Sequence, residues 1–200
     1  MKNKSIVNTY RFYASFYDSF FGAFFEKGRT FAVEKANILQ NDNILEVGVG
    51  TGASLNLYPK KVSITGIDLS KEMLKVASKK NLNSKVKLLQ MDAQNMDFDS
   101  ETFNKVFLMH IYSVAESTNK LLAEVKRVSK PDADIYILNQ FESKNKALNT
   151  IKRLATPLQN LIGFRPFFKL NTKEIESHLT IQKIYNINTF GYKLIHCKKV

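Results

Sequence analysis

Ile44-Leu45-Glu46-Val47-Gly48-Val49-Gly50-Thr51-Gly52 decides the fold, because an apolar run that suits a buried strand passes directly into glycines at every second position. Three of the chain's eight glycines fall within these five residues, 48 to 52. Without Cβ atoms, Gly48, Gly50 and Gly52 let bare backbone approach a ligand, and they accept positive φ where the chain turns sharply out of a strand. In an open parallel sheet such a loop lies at the carboxyl edge of the first strand, at the topological switch point where ligands bind.

The loop by itself does not choose the ligand, since Gly48, Gly50 and Ala53 also satisfy the G-x-G-x-x-G/A fingerprint of dinucleotide binding. The next two strands narrow the choice. Ser63–Asp68 reads as a second strand ending in an acid suited to a ribose diol, and Leu69 and Met73 come just beyond, where Met73 can pack on an adenine. Residues 86–93 form a third run whose terminal Asp92-Ala93 reaches the same edge, with Asp92 placed to accept from an adenine amino group. Glu46, immediately before the glycines, would repel a pyrophosphate and attract a sulfonium or an α-amino group. Too little chain remains after this half for a separate substrate domain of the size hydride-transfer enzymes carry.

In order and spacing these motifs resemble the class I S-adenosylmethionine-dependent methyltransferases, whose pattern is E-x-G-x-G-x-G, an acid ending strand two and Asp-Ala ending strand three. The resemblance implies an α/β fold: a Rossmann-like, seven-stranded, mostly parallel sheet with helices on both faces. It also implies S-adenosyl-L-methionine as cofactor, held by Glu46, Gly48, Gly50, Gly52, Asp68, Leu69, Met73, Asp92 and Ala93.

With 44% hydrophobic residues in 200, the chain can bury one core and suggests a single domain over 1–200. Within it, residues 1–41 form an N-terminal helical cap, 42–141 a cofactor-binding core, 142–170 a basic helical insertion and 171–200 the final strands. The lone Cys197 excludes an internal disulfide and fits a reducing compartment. With no 18-residue apolar run and no signal-peptide pattern, a cytoplasmic, non-spanning protein is expected. His178 and His196 have no partner pattern that suggests a metal. The net charge of +12 is uneven: six Lys/Arg against three Asp/Glu over 1–41, thirteen against twelve over 42–139, and eleven against three over 140–200. The excess at the two ends points to a polyanion, either nucleic acid or an anionic membrane.

Both ends also carry aromatic and amphipathic segments. Residues 5–25 place Ile6, Tyr10, Tyr13, Tyr17, Phe20, Phe21 and Phe24 on one helical face, and such a helix can lie in a membrane interface, close the cofactor pocket, or do both. A second helix is expected over 30–40, a short one over 53–57, and another over 71–80 with Ser70 as its cap. Strand four, 105–109, ends in His110; a helix spans Thr118–Val128, residues 130–134 turn, and 135–138 make strand five. In the insertion, Leu148, Ile151, Leu154, Leu158 and Leu161 form a stripe flanked by Lys144, Lys146, Lys152 and Arg153, with a kink at Pro157. Residues 181–185 and 192–197 read as a closing antiparallel strand pair.

Across the whole chain, Tyr17-Asp18 with Phe20-Phe21-Gly22, Gly28-Arg29, LEVGVGTGASLNLYP, TGIDLSKEML, MDA, SVAE, EVKRVSKP and Asn139-Gln140-Phe141 are similar to the bacterial phospholipid N-methyltransferases that convert phosphatidylethanolamine to phosphatidylcholine. Two departures stand out: Pro131-Asp132-Ala133 in place of Pro-Gly-Gly, and Gln140 where the family often has His. The resemblance implies a phospholipid headgroup at an anionic membrane surface as partner, with the protein a monomer on the inner face of the membrane and not on nucleic acid. Only the VGVGTG-x-SL phrase and the aromatic N-terminus favour this family over the related ubiquinone and menaquinone C-methyltransferases. These stay the alternative together with a small-molecule methyltransferase, an RNA methyltransferase coming behind them. It also implies that Arg29, from the Gly-Arg pair, binds the methionine carboxylate or a lipid phosphate. An attacking amine must lose its proton, which makes Tyr17, Tyr13 and His110 the candidate catalytic residues, His110 also bordering the cofactor.

Overall fold

Strand β1 (Asn43–Val47) is apolar on both faces because helices cover both sides of the sheet it centres. The computed structural model describes residues 17–80, 85–158, 165, 167–188 and 190–199. Around β1, the strands β2 (Ser63–Asp68), β3 (Lys85–Gln90), β4 (Phe103–Met109), β5 (Ser129–Gln140), β6 (Thr180–Asn186) and β7 (Tyr192–Lys198) form one sheet in the order β3-β2-β1-β4-β5-β7-β6. The first five are mutually parallel, and β7 runs antiparallel to both of its neighbours. Strand order reverses between β1 and β4, so their carboxyl ends border an open crevice. The seven-stranded, mostly parallel α/β sheet and the antiparallel closing pair are therefore as the sequence led us to expect.

Side chains alternate across this sheet into two cores. One face packs Leu45, Val47, Ile67, Val106 and Leu108 against Leu121, Leu122 and Val125 of helix α3 (Thr118–Val128). The other packs Ile44, Ile64, Phe107, Leu138 and Leu194 against Phe25, Ala32 and Val33 of helix α1 (Tyr17–Lys35). Helix α2 (Lys71–Ala77) begins where Ser70 accepts a hydrogen bond from the Met73 amide, and it ends at Ala77, short of Lys80.

Several elements differ from their expected bounds, each for a local reason. No separate helix covers 30–40: α1 runs on to Lys35 and stops as Asn37 takes φ +43°, with the Leu39 amide donating to Asp42 at 2.7 Å. Only a 3₁₀ turn, Leu55–Leu57, follows the glycine loop, because the Ser54 hydroxyl bonds Glu46 instead of capping a helix. The turn at 130–134 lies inside the bounds of β5, where pairing with β4 slips between Phe103 and Lys105 and Asp132 takes φ +59°. Helix α5 (Thr172–Glu176) was not foreseen; it is capped by Asn171 and buries a single residue, Ile175, too little for a periodic signal.

In the insertion, helix α4 (Lys146–Leu154) is followed by a 3₁₀ turn at Thr156–Leu158 that contains Pro157, and Leu161 lies outside the described residues. The apolar stripe faces away from the protein: Ile151 is 63% and Leu154 76% exposed, while Lys152 points inward at 7%. Among the described residues, no helix is long and apolar enough to cross a membrane.

Candidate active site

A cleft of about 610 Å³ opens at the carboxyl edge of the sheet, lined by Arg29, Glu46, Gly48, Gly50, Asp68, Met73, Met109, His110, Ile111 and Val114. Its floor is the loop after β1. Gly48 and Val49 both donate their amides to the Ile67 carbonyl, at 2.8 and 2.9 Å, which folds the loop back over β2. Gly50 takes φ +55°, and an added Cβ there would meet nothing nearer than 4.0 Å, so bare backbone fronts the open cleft. Gly52 has another role: a Cβ would come within 2.8 Å of Leu55 and 3.1 Å of Ala77, so this glycine packs the loop against α2 and not against a ligand.

Two carboxylates organise this half. Asp68 accepts from the Gly50 amide at 2.9 Å and the Ser70 amide at 2.8 Å. Burial pushes its carboxyl group up from the usual range, and those amide bonds pull it back. The Leu69 amide acts on it as well, and a carboxylate with about four lone-pair sites still keeps acceptor capacity for a ligand. Glu46 is 1% exposed and accepts from the hydroxyls of Ser54 and, at 2.7 Å, Tyr58. Burial raises its pKa, while those two hydroxyls and the Arg29 charge lower it. The oxygens expected to face a sulfonium are thus engaged from behind by two side chains that sequence reading passed over. Ser54 lies in the segment expected to be helical, and Tyr58 directly follows it.

On the other side the cleft is lined by His110, and two buried aromatic rings, Phe25 and Tyr192, back it. His110 ends β4 with φ +69°, its amide donating to the Leu138 carbonyl at 2.8 Å. Its Nε2 and the Tyr192 hydroxyl share a hydrogen bond of 3.0 Å, and the two rings stack at 18° with centroids 5.5 Å apart. Phe25 of α1 leans on His110 at 4.4 Å and on Tyr192 at 5.8 Å. Tyr192 lies so flat on Gly28 that a Cβ at that position would overlap its ring. Burial, and then the neighbouring Arg29 charge, lower the His110 pKa to about 3, so the imidazole is neutral at pH 7.

Seven of the residues singled out in the sequence therefore meet in one cleft: Arg29, Glu46, Gly48, Gly50, Asp68, Met73 and His110. Leu69, Asp92 and Ala93 do not line it. The Leu69 carbonyl accepts from Gln90 at 3.1 Å, Asp92 accepts from the Gln94 amide at 2.9 Å, and Ala93 packs against the α3-side core. Tyr13 lies outside the described residues, as does the side chain of Tyr17. Tyr192, Phe25, Ser54 and Tyr58 are the site residues that sequence reasoning missed. For Tyr192 the available signal was Gly28, a glycine inside a helix, which costs about 1 kcal/mol against alanine and so asks what approaches it.

The residues present suit a methionine nucleoside. Bare backbone at Gly50 admits a close approach, Asp68 retains acceptor capacity for a diol, and Met73, Met109, Ile111 and Val114 offer an apolar wall. A dinucleotide pyrophosphate would instead meet Glu46 and Asp68.

The fold and this cleft define a class I methyltransferase. The methyltransferase-domain family profile matches residues 45–137. The chain is 32% identical over 185 residues to the phosphatidylethanolamine N-methyltransferase of Cereibacter sphaeroides, covering 90% of each chain. It is 30% identical over 118 residues to a ubiquinone/menaquinone biosynthesis C-methyltransferase of Geotalea daltonii, covering 55% of this chain and 50% of that one. Among solved structures, a SAM-dependent methyltransferase from Thermotoga maritima superposes with a TM-score of 0.74 at 16% identity, covering 98% of this chain and 100% of that one. This chain belongs to the S-adenosylmethionine-dependent methyltransferases, and S-adenosylmethionine is its cofactor.

Proposed function

We propose that this methyltransferase methylates the amine of phosphatidylethanolamine and of its partly methylated forms, working at an anionic membrane surface. One observation carries the reading: similarity to the phosphatidylethanolamine enzyme runs through 90% of both chains, whereas similarity to the quinone enzyme covers about half of each. The acceptor-side parts, α1 and the β7 hairpin, lie at the two ends of the chain, which only the longer similarity can include. The membrane part is supported by exposed Ile151 and Leu154 beside Arg153 on α4, in a C-terminal third with eleven Lys/Arg against three Asp/Glu.

S-adenosylmethionine, when bound, supplies an electrophilic methyl group. On this chain Asp68 holds the ribose diol, the backbone at Gly48 and Gly50 lets the methionine portion lie close, and Met73 packs on the adenine. Arg29 takes a carboxylate, and Glu46 favours the cationic end. The acceptor enters beside His110, which Phe25 and Tyr192 hold from behind, along the apolar wall of Met109, Ile111 and Val114. Entry into this apolar wall disfavours an ammonium, so the amine gives its proton to water as it loses solvent. With its Nε2–H donating to the Tyr192 hydroxyl, neutral His110 accepts from an amine N–H at Nδ1 and so aims the nitrogen lone pair; with a pKa of about 3 it orients and does not store the proton.

The test is incubation with methyl-labelled S-adenosylmethionine and separate pools: phosphatidylethanolamine vesicles containing anionic lipid, demethylated quinone, and RNA. Label in mono-, di- and trimethylated lipid supports the proposal. Label confined to quinone or RNA refutes it.

A further inference from the structure

On the other face of the β6–β7 hairpin from the Tyr192 ring lies an open groove lined by Lys144, Asn145, Asn186, Asn188, Gly191 and Lys193. Among the described residues, no carboxylate lines it. The three asparagines are alike in one respect: each has spent its carboxamide oxygen on the protein. Asn145 accepts from the Ala147 and Leu148 amides at 3.0 and 3.3 Å, Asn188 from the Phe190 and Tyr192 amides at 3.0 and 3.1 Å, and Asn186 from the Lys193 ammonium at 2.9 Å. What each has left is its NH₂ group, a pure donor. Lys144 and Lys193 add ammonium donors, and Lys193 uses one N–H on Asn186. A surface with this side-chain set offers donors and positive charge and almost no acceptor. A cation finds no partner there and a sugar hydroxyl can only accept, whereas an anion with several oxygens finds a donor for each and a favourable charge as well.

The two walls of the groove are tied together. Lys152, buried in α4, donates to the Phe141 carbonyl at 3.0 Å and to the Phe190 carbonyl at 2.5 Å, and Gln140 donates to Phe190 at 3.2 Å. Its buried charge, close enough to Lys193 for the two to repel, adds to the positive potential beneath the groove. The donors are therefore held on a braced turn before any ligand arrives.

We propose that this groove binds a phosphate ester through Lys144, Lys193 and the side-chain amides of Asn145, Asn186 and Asn188. The site is separate from the methyl-transfer cleft and does not rest on which acceptor is methylated. The phosphate can come from a phospholipid headgroup or from a free phosphate compound.

The full chain is titrated calorimetrically with inorganic phosphate and glycerol 3-phosphate, and in parallel floated with phosphatidylcholine vesicles with and without phosphatidylglycerol. Binding of the soluble esters identifies a free ligand; flotation with phosphatidylglycerol alone identifies the headgroup. Asn188→Asp keeps the oxygen that holds the turn and exchanges the donor for a negative acceptor. It should weaken whichever binding is seen about tenfold or more, the loss of one charge-assisted hydrogen bond, with S-adenosylhomocysteine affinity unchanged. Should Asn188→Asp also lose S-adenosylhomocysteine binding, the Lys144→Gln/Lys193→Gln double variant decides by the same criterion. No binding in either arm, or binding by the deciding variant equal to the wild type, overturns the site.

Discussion

The two walls of the cleft are made in different ways. The donor wall is backbone and short-range contact: Gly48, Gly50, Asp68 and Ser70 lie within about one strand-loop-strand unit, and each is held by an amide bond within that unit. The acceptor wall is side chains drawn from three remote places, α1, the end of β4 and the start of β7, with Tyr192 eighty-two residues from the His110 it bonds. A wall of the first kind can be kept while the chemistry served changes, because on the proposed reading nothing in it touches the acceptor. A wall of the second kind changes with any one of its three contributors. In the comparisons, the relative named for phosphatidylethanolamine matches 90% of this chain and the one named for quinone biosynthesis 55%.

The most damaging change on this account is Gly28→Val, which forces the Tyr192 ring off α1. Overpacking of this kind costs typically up to about 3 kcal/mol, and methyl transfer should fall to background while S-adenosylhomocysteine still binds. Thermal unfolding and calorimetry on the same sample would check both halves. A variant that transfers methyl groups normally would mean that the ring position is not needed.

Next in size is Tyr58→Phe, which acts from behind the donor wall. It leaves buried Glu46 with Ser54 alone and should destabilise the fold by about 1–3 kcal/mol, read by urea unfolding. Because a hydroxyl that lowers the Glu46 pKa is gone, the loss should be greater at pH 8 than at pH 5, where the carboxyl group is closer to protonation.

The donor wall was legible because its signals are local: glycines two apart, an acid closing β2, Ser70 before a helix. The sheet order followed from those same strands. Tyr192 was illegible because no window of sequence contains both it and His110, and periodicity marked it only as the first residue of a strand. Ser54 was hidden by an expected helix and Tyr58 by its place at that helix's end, since the burial of Glu46 draws both hydroxyls inward and leaves a 3₁₀ turn. Lys152 misled in the opposite sense. Its charge reads as solvent-facing, yet two carbonyls, of Phe141 and Phe190, make a buried place for it, and the apolar residues beside it turn outward instead. Replacing Lys152 therefore tests the bracing of the hairpin, and Arg153 is the better residue for testing membrane contact.

A smaller effect is the pH dependence from His110. Its folded pKa of about 3 lies below the ordinary 6.5, so between these values the unfolded chain takes up a proton that the folded chain refuses. The unfolded state then binds more protons, and stability is lost as pH falls from about 6.5 toward 3, by at most about 1.4 kcal/mol per pH unit. His110→Asn, which tolerates the same positive φ, should lose less stability than the wild type between pH 7 and pH 5. Equal losses in the two proteins would mean that His110 takes up its proton alike in the folded and unfolded chain and is not held neutral by burial.

The separation of the two walls is tested most directly by titrating S-adenosylhomocysteine into the wild type, Asp68→Asn and Tyr192→Phe. Asp68→Asn should bind about tenfold to a hundredfold more weakly, the loss of one charge-assisted hydrogen bond to the ribose, and Tyr192→Phe should bind like the wild type. Unchanged binding by Asp68→Asn, or equal weakening by both variants, would contradict a donor wall built independently of the acceptor wall.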